Sequence, residues 1–305
     1  MSEERKELEL KYRPLSFDEL IGWETEKKSL LTMIKTKRTF LLYGPRGCGK
    51  TTIGRLIAYE LDIDDIDITE IDAASNTGVD DARTIKSNAS LYPLKGKNKI
   101  YIIDEVHRLS GNAFDALLKT IEEPPQHCYF VLCSSEIDKI PATIKSRCAK
   151  YEVKPLNQRD SSTLLNWICR EEKLNVNNNI IQAIIDHCEG IPREMIISLD
   201  MIKEIKDEQE AISLLYSKEN KEITDLCWAL LNKDPWNKIC SILKELKEEP
   251  EQIRYSILGI MNSILLKDTK QQEKAAMIML NFMDSFMYTK RAGLTLACYM
   301  SIKTG

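Results

Sequence analysis

The 305-residue chain has only three histidines, and its nine cysteines never form a CxxC pair. Neither residue type is spaced to supply a metal ligand set. No apolar run approaches the ~18 residues that a membrane span requires. The opening "MSEERKELEL" is charged and lacks the apolar core of a secretory signal. A cytoplasmic protein without a membrane partner is therefore expected. Excess positive charge is missing too: 43 Lys and Arg stand against 47 Asp and Glu, a net charge of −4. Any nucleic-acid contact must then be local or shared with partners. Internal repeats and low-complexity linkers are also missing. What is present is a chain long enough for two or three domains, with enough apolar residues (43%) to fill their cores. Cys128, Cys133, Cys169, Cys188, Cys227, Cys240 and Cys298 sit in apolar runs and read as buried free thiols.

Four near-continuous apolar runs punctuate the first half: "TFLLY" (39–43), "IDITEID" (66–72), "KIYIID" (99–104) and "CYFVLCS" (128–134). Runs of this kind read as parallel strands covered on both faces, and "KYEVKP" (150–155) reads as a last strand. Helical stretches separate them, including 50–61 and 110–123, the latter with Ser110 as N-cap and Pro124-Pro125 as its stop. The alternation predicts a doubly wound α/β domain over residues 1–154. Past Pro155 three short helices are expected over 155–212, with a turn at Glu189-Gly190. From 213 to 305 the chain reads as helical throughout, apolar positions recurring at i, i+3 and i+4. The charged run "KELKEEPEQ" (244–252) reads as a solvated helix end and turn.

Chemistry begins at Gly44-Pro45-Arg46-Gly47-Cys48-Gly49-Lys50-Thr51, which fits GxxxxGK[ST] between an apolar strand and a helical pattern, with Thr52 following. Glycines let the backbone curl so that N–H groups point inward, and the next helix adds its positive end. Lys50 can reach β/γ oxygens and the Thr51 hydroxyl can ligate Mg²⁺, so a nucleoside triphosphate site is expected. In "KIYIIDEVH", Asp104 stands where a carboxylate would hold Mg²⁺, and Glu105 can polarise a water for in-line attack. An Asp-Glu pair favours a hydrolase over a kinase. A hydroxyl at Ser134-Ser135 can orient the water, or simply mark a strand-end turn. Arg147 is either a surface charge or a finger reaching a neighbouring subunit's phosphate site. Arg193, in "GIPRE", can fold back on the nucleotide.

The segments "KYRPLSFDELIG", "GPRGCGKTT", "IDAASNTGVDDAR", "IYIIDEVHRLSGNAFDALLKTIEEPP", "IPATIKSRC" and "GIPRE" follow one another in this order. Together they resemble the AAA+ sliding-clamp loader ATPases, the family of the bacterial DNA polymerase III gamma/tau subunit, replication factor C small subunits and phage clamp-loader large subunits. The resemblance covers residues 11 to 200 or so. It implies an α/β P-loop AAA+ core, a parallel sheet flanked by helices, followed by a small helical lid and an all-α C-terminal collar for oligomerisation. It also implies Tyr12, Arg13, Pro14, Ile21 and Gly22 around the adenine, and Asp104 and Glu105 as the Walker B pair. Ser135 matches the sensor-1 position, Arg147 the trans-acting finger and Arg193 the lid's sensor-2 arginine. "SNTGVDDARTIK" matches the segment that tracks primer–template DNA, which would set Thr77, Arg83 and Lys86 on backbone phosphates. Such contacts give affinity without sequence choice. On pattern alone, Arg83 and Lys86 read equally as a solvated helix face.

Two departures from the family stand out. Its four-cysteine zinc module is replaced by the bare interval "LDIDDIDIT", so no zinc is expected, and the chain stops after one helical C-terminal domain. Both favour a compact, phage-like loader subunit over a cellular tau. The function expected is ATP- and Mg²⁺-dependent loading of a sliding clamp onto primer–template DNA during replication. The chain would act in several copies within a hetero-oligomeric ring of loader subunits. Two alternatives stay open. An AAA+ junction motor or recombination factor would work without a clamp, but gives no reason for the Ser-Arg-Cys triplet. A non-hydrolysing structural ring subunit would have lost the lysine or the Asp-Glu pair, and both are here.

Overall fold

Five strands, β1 (Thr39–Tyr43), β2 (Ile68–Asp72), β3 (Lys99–Asp104), β4 (Cys128–Ser134) and β5 (Ala149–Glu152), pair in parallel in the spatial order β2-β3-β4-β1-β5. This computed structural model describes residues 7–75, 78–205, 208–246, 248–266 and 271–303. β1, β3 and β4 fall on the expected runs. β2 starts two residues late, because Asp65–Asp67 wind into a 3-10 turn whose N-cap, Asp64, accepts a hydrogen bond from the Ile66 N–H. β5 ends before Pro155, which has no N–H to donate.

The apolar runs look continuous in sequence because each strand feeds two layers at once. Leu41, Tyr101, Ile103, Phe130 and Leu132 enter one core; Phe40, Leu42, Ile100, Ile102 and Val131 enter the other. After a short α1 (Leu8–Lys11), α2 (Glu24–Met33) and α3 (Lys50–Glu60) contribute Leu30, Ile53 and Leu56 to the second core. The first core is closed by α4 (Val79–Ser90), α5 (Gly111–Glu122) and α6 (Ala142–Lys145). Ser110 caps α5 as expected, its hydroxyl accepting from the Ala113 N–H at 3.3 Å.

Three helices follow Pro155: α7 (Gln158–Glu171), α8 (Asn178–Cys188) and α9 (Pro192–Ile202). Asn157 and Asn177 cap the first two through their side chains. At the expected turn Glu189 and Gly190 both hold positive φ, 50° and 77°. The Leu156 N–H donates to the Gly190 carbonyl at 2.9 Å, and a Cβ on Gly190 would stand 2.2 Å from the Leu156 oxygen. Only glycine fits there. Residues up to Glu204 make one compact unit and those from Ile205 a second. The expected seam at 154/155 therefore lies within the first unit, and the one at 212/213 within the next helix.

That helix is α10 (Glu208–Leu231), followed by α11 (Trp236–Glu245), α12 (Pro250–Leu265), α13 (Gln272–Asn281) and α14 (Lys290–Lys303). Leu226, Leu230, Ile239, Ile257, Met261 and Phe282 fill the core of the second unit. Buried Arg254 binds Glu251 at 2.6 Å and the carbonyls of Phe282 and Met283 at 3.2 and 3.3 Å. It thereby ties α12 to the link between α13 and α14.

All nine cysteines are free and eight are buried; burial pushes the Cys128 and Cys148 thiols up to about 12. Cys240, expected among the buried ones, is half-exposed because it sits one position, roughly 100° of helix turn, beyond the core residue Ile239. Among the described residues, no helix is long and apolar enough to cross a membrane.

Gly190→Ala tests the turn that sets α9. The strained φ and the carbonyl clash together should cost about 2 kcal/mol or more, read as a lower thermal midpoint. An unchanged midpoint contradicts the packing described.

Candidate nucleotide site

Parallel strands leave a crevice at their carboxyl ends, and here those ends open into a cleft of about 750 Å³ within the first unit. The glycine-rich loop between β1 and α3 forms its floor. Gly44, Gly47 and Gly49 all hold positive φ, which curls the loop. Lys50 is buried at its centre, donating to the Gly44 and Pro45 carbonyls at 2.8 Å each. At the start of α3 the Thr51 hydroxyl donates to the Asp104 carboxylate at 2.7 Å. A hydroxyl and a carboxylate meeting beside such a loop are hard oxygen donors, and they fit Mg²⁺.

Glu105 directly follows β3 in a left-handed conformation, φ 47° and ψ 41°, which few non-glycine residues adopt. The turn throws its side chain across to the loop. One carboxylate oxygen accepts from Arg46 Nε at 2.7 Å; the other accepts from the Ser135 hydroxyl at 2.9 Å and the Ser135 N–H at 3.3 Å. Buried His107 lies between two acids, Nδ1 3.3 Å from Glu105 and Nε2 3.2 Å from Glu136. Partial burial pushes the Glu105 carboxyl up, but the Ser135 hydrogen bonds and the Arg46 charge outweigh it and hold it below the ordinary glutamate range.

Among the residues expected around the base, Tyr12, Arg13, Pro14 and Ile21 line the cleft. Gly22 lies beside it, where a Cβ would touch Leu156 and Asp160. Tyr12 stacks edge-on against Trp167 of α7, ring centroids 5.2 Å apart. Its phenol is pushed up first by burial and then by its hydrogen bond to Glu172. Arg13 is pulled down by burial and by the neighbouring charges of Arg55 and Arg193, so this end of the cleft is dense in cations.

Helix α9 meets the loop directly. The Arg193 N–H faces the Gly47 carbonyl at 3.3 Å, and a Cβ on Gly47 would lie 2.7 Å from Ile191. Gly47 thus serves the approach of α9 as well as the curl of the loop.

Arg46, Cys48, Thr52 and Arg193 line the same cleft, whereas Arg147 does not. Arg147 donates to the Thr143 carbonyl at 2.8 Å and pairs with Glu122 at 3.1 Å. Arg83 and Lys86 are exposed on α4, Arg83 pairing with Asp80 at 3.1 Å; Thr77 lies outside the described residues. Sequence reasoning did not single out Glu9, Trp167, Leu164 or Arg108, which also line the cleft. Trp167 could have been found as the aromatic position on the apolar stripe of α7; the others carry no local signal.

A family profile described as "DNA polymerase III, delta subunit" matches residues 46–157. The DNA polymerase III subunit gamma of Buchnera aphidicola subsp. Baizongia pistaciae is 32% identical, the match covering 85% of this chain and 81% of that protein. The chain belongs to the DNA polymerase III gamma/tau family. Members of this family are AAA+ clamp-loader subunits of the replication machinery. The tau subunit of Bacillus subtilis is 36% identical over 62% of this chain, which covers 38% of that longer protein. Among solved structures, the RuvB branch migration motor of Thermotoga maritima shares the fold at a TM-score of 0.56 and 18% identity, over 85% of this chain and 94% of that one.

The grip on Glu105 can be measured directly. Ser135→Ala, and separately Arg46→Ala, should raise the Glu105 pKa, because each removes a contact that favours the carboxylate while its burial remains. The readout is a pH titration of the carboxyl resonance in glutamate-labelled protein. No upward movement in either variant contradicts the described contacts.

Proposed function

We propose that this chain hydrolyses ATP to drive the opening and loading of a sliding clamp onto primer–template DNA. The observation that carries the reading is the meeting of Lys50, Thr51, Asp104, Glu105 and Arg193 on one cleft. A phosphate loop alone would support binding; the carboxylate pair and the lid arginine beside it support turnover.

The loop N–H groups and the end of α3 cradle the β-phosphate, and Lys50 turns from the loop carbonyls to the β/γ oxygens. Thr51 and Asp104 would hold Mg²⁺, whose charge, when it is bound, neutralises those oxygens. Glu105 orients the attacking water and draws off its proton. Both of its oxygens are engaged by Arg46 and Ser135, so one of those donors must withdraw before it can act. The same release raises the Glu105 pKa and makes it a better base. Primer–template DNA, tracked by Arg83, Lys86 and Thr77 through backbone phosphates, is the trigger for this shift.

Arg147 lies outside its own cleft and serves a neighbouring subunit's nucleotide. ATP bound across that seam favours the ring shape that grips the clamp, and hydrolysis releases it. A ring also accounts for the apolar side chains left open on the second unit, including Leu280, Met283, Met287, Tyr288 and Leu296. The complete set of site residues argues against a non-hydrolysing ring subunit.

Arg147→Ala should bind a non-hydrolysable ATP analogue about as well as the parent. Its turnover stimulated by primed DNA and clamp should fall by on the order of a thousandfold. Surviving stimulation in a steady-state phosphate-release assay removes the trans role. Lys50→Ala should abolish binding itself, and nucleotide titration that still saturates would contradict the loop assignment.

A further inference from the structure

Arg193 grows from the first turn of α9, directly over the phosphate loop, with its N–H 3.3 Å from the Gly47 carbonyl. Its side chain lines the cleft, and the guanidinium is turned towards a carboxylate of its own chain. Nε lies 3.4 Å from Oε2 of Glu9, on α1, and α1 packs against α9. That carboxylate oxygen is closed to water and makes no hydrogen bond, so the ion pair is its compensation.

The surroundings sharpen the point. Arg13, Arg55 and Arg193 crowd one another, and Glu9 and Glu70 are the acids that offset them. Glu70 is already taken, bonded by both Nε and Nη2 of Arg55. Glu9 remains as the counter-charge for Arg193, and both line the cleft.

We propose that Glu9 is an internal competitor of the nucleotide for Arg193. This rests on the nucleotide reading of the cleft. Only the fraction of molecules with Arg193 released is fully competent to bind, and the apparent affinity falls by that fraction. The contact is long and its arginine half-exposed, so it yields to a phosphate at low cost. α1 thereby sets the ATP level at which the lid arginine engages, through a carboxylate 184 positions from Arg193 on the wall of the same cleft.

The experiment titrates a fluorescent non-hydrolysable ATP analogue into the full chain and its Glu9→Asp and Glu9→Gln variants. Aspartate keeps the charge but is one methylene too short to hold Nε. Both variants should bind about two- to fivefold tighter, the range of a partly exposed ion pair. In an Arg193→Gln background neither substitution should matter. A gain for Glu9→Gln but not for Glu9→Asp would show a general field effect and overturn the proposal. So would a gain that persists without Arg193, or weaker binding by either variant, which would make Glu9 a prop for the lid. A parent protein that binds no analogue overturns the nucleotide reading itself, and this proposal with it.

Discussion

In the register that β4 holds between β1 and β3, Leu132 pairs with Leu41 on one side and Ile103 on the other. The three strands therefore finish level. Tyr43 stands opposite Ser134, and the Gly44 N–H continues the ladder to the Ser134 carbonyl at 3.1 Å. The phosphate loop, Glu105 and Ser135 thus leave the sheet at one height, which is why a hydroxyl from one strand end and a guanidinium from another loop can share a single carboxylate. A one-residue slip of β4 would do more than move Ser135. It would also send Phe130 and Leu132 into the wrong layer, since strand side chains alternate between faces. Packing of the two cores and placement of Glu105 and Ser135 are fixed by the same pairing.

The helices after Pro155 add a second constraint of the same kind. α9 reaches the loop because the chain turns back at Gly190 and because Gly47 presents no side chain where Ile191 arrives. Tyr12, wedged against Trp167 and hydrogen bonded to Glu172, ties the N-terminal segment to α7. Two ends of the cleft, at Tyr12 and at the glycine-rich loop, are therefore closed by parts of one helical group. Movement of that group would alter both ends together.

Much of the frame was legible beforehand, for physical reasons. β1, β3 and β4 are buried on both faces, and such strands announce themselves as short unbroken apolar runs between turn residues. α5 was bounded by a serine cap and a proline pair, signals that act over three or four residues. The loop, Asp104 and Glu105 were readable because their chemistry depends on local order. The grip of Arg46 on Glu105 was not, since the two are 59 positions apart and neither spacing nor composition links them. The same holds for Glu9 and Arg193, and for Arg254, which looks like any surface arginine of an amphipathic helix until α12 is packed. The start of α10 at Glu208 escaped a reading that placed the all-helical part from 213 onwards. Roles that need a second molecule, those of Arg147 and of the exposed Arg83 and Lys86 on α4, leave no trace in local sequence and rest on resemblance and position.

The cysteine pattern has a practical side. Eight thiols lie inside cores, several with their acidity suppressed by burial, while Cys240 on α11 alone is partly open to solvent. A maleimide dye offered to the folded protein would meet one receptive sulfur, on the helical second unit. These residues thus carry a single attachment point for a reporter dye, with no cysteine needing to be removed or introduced.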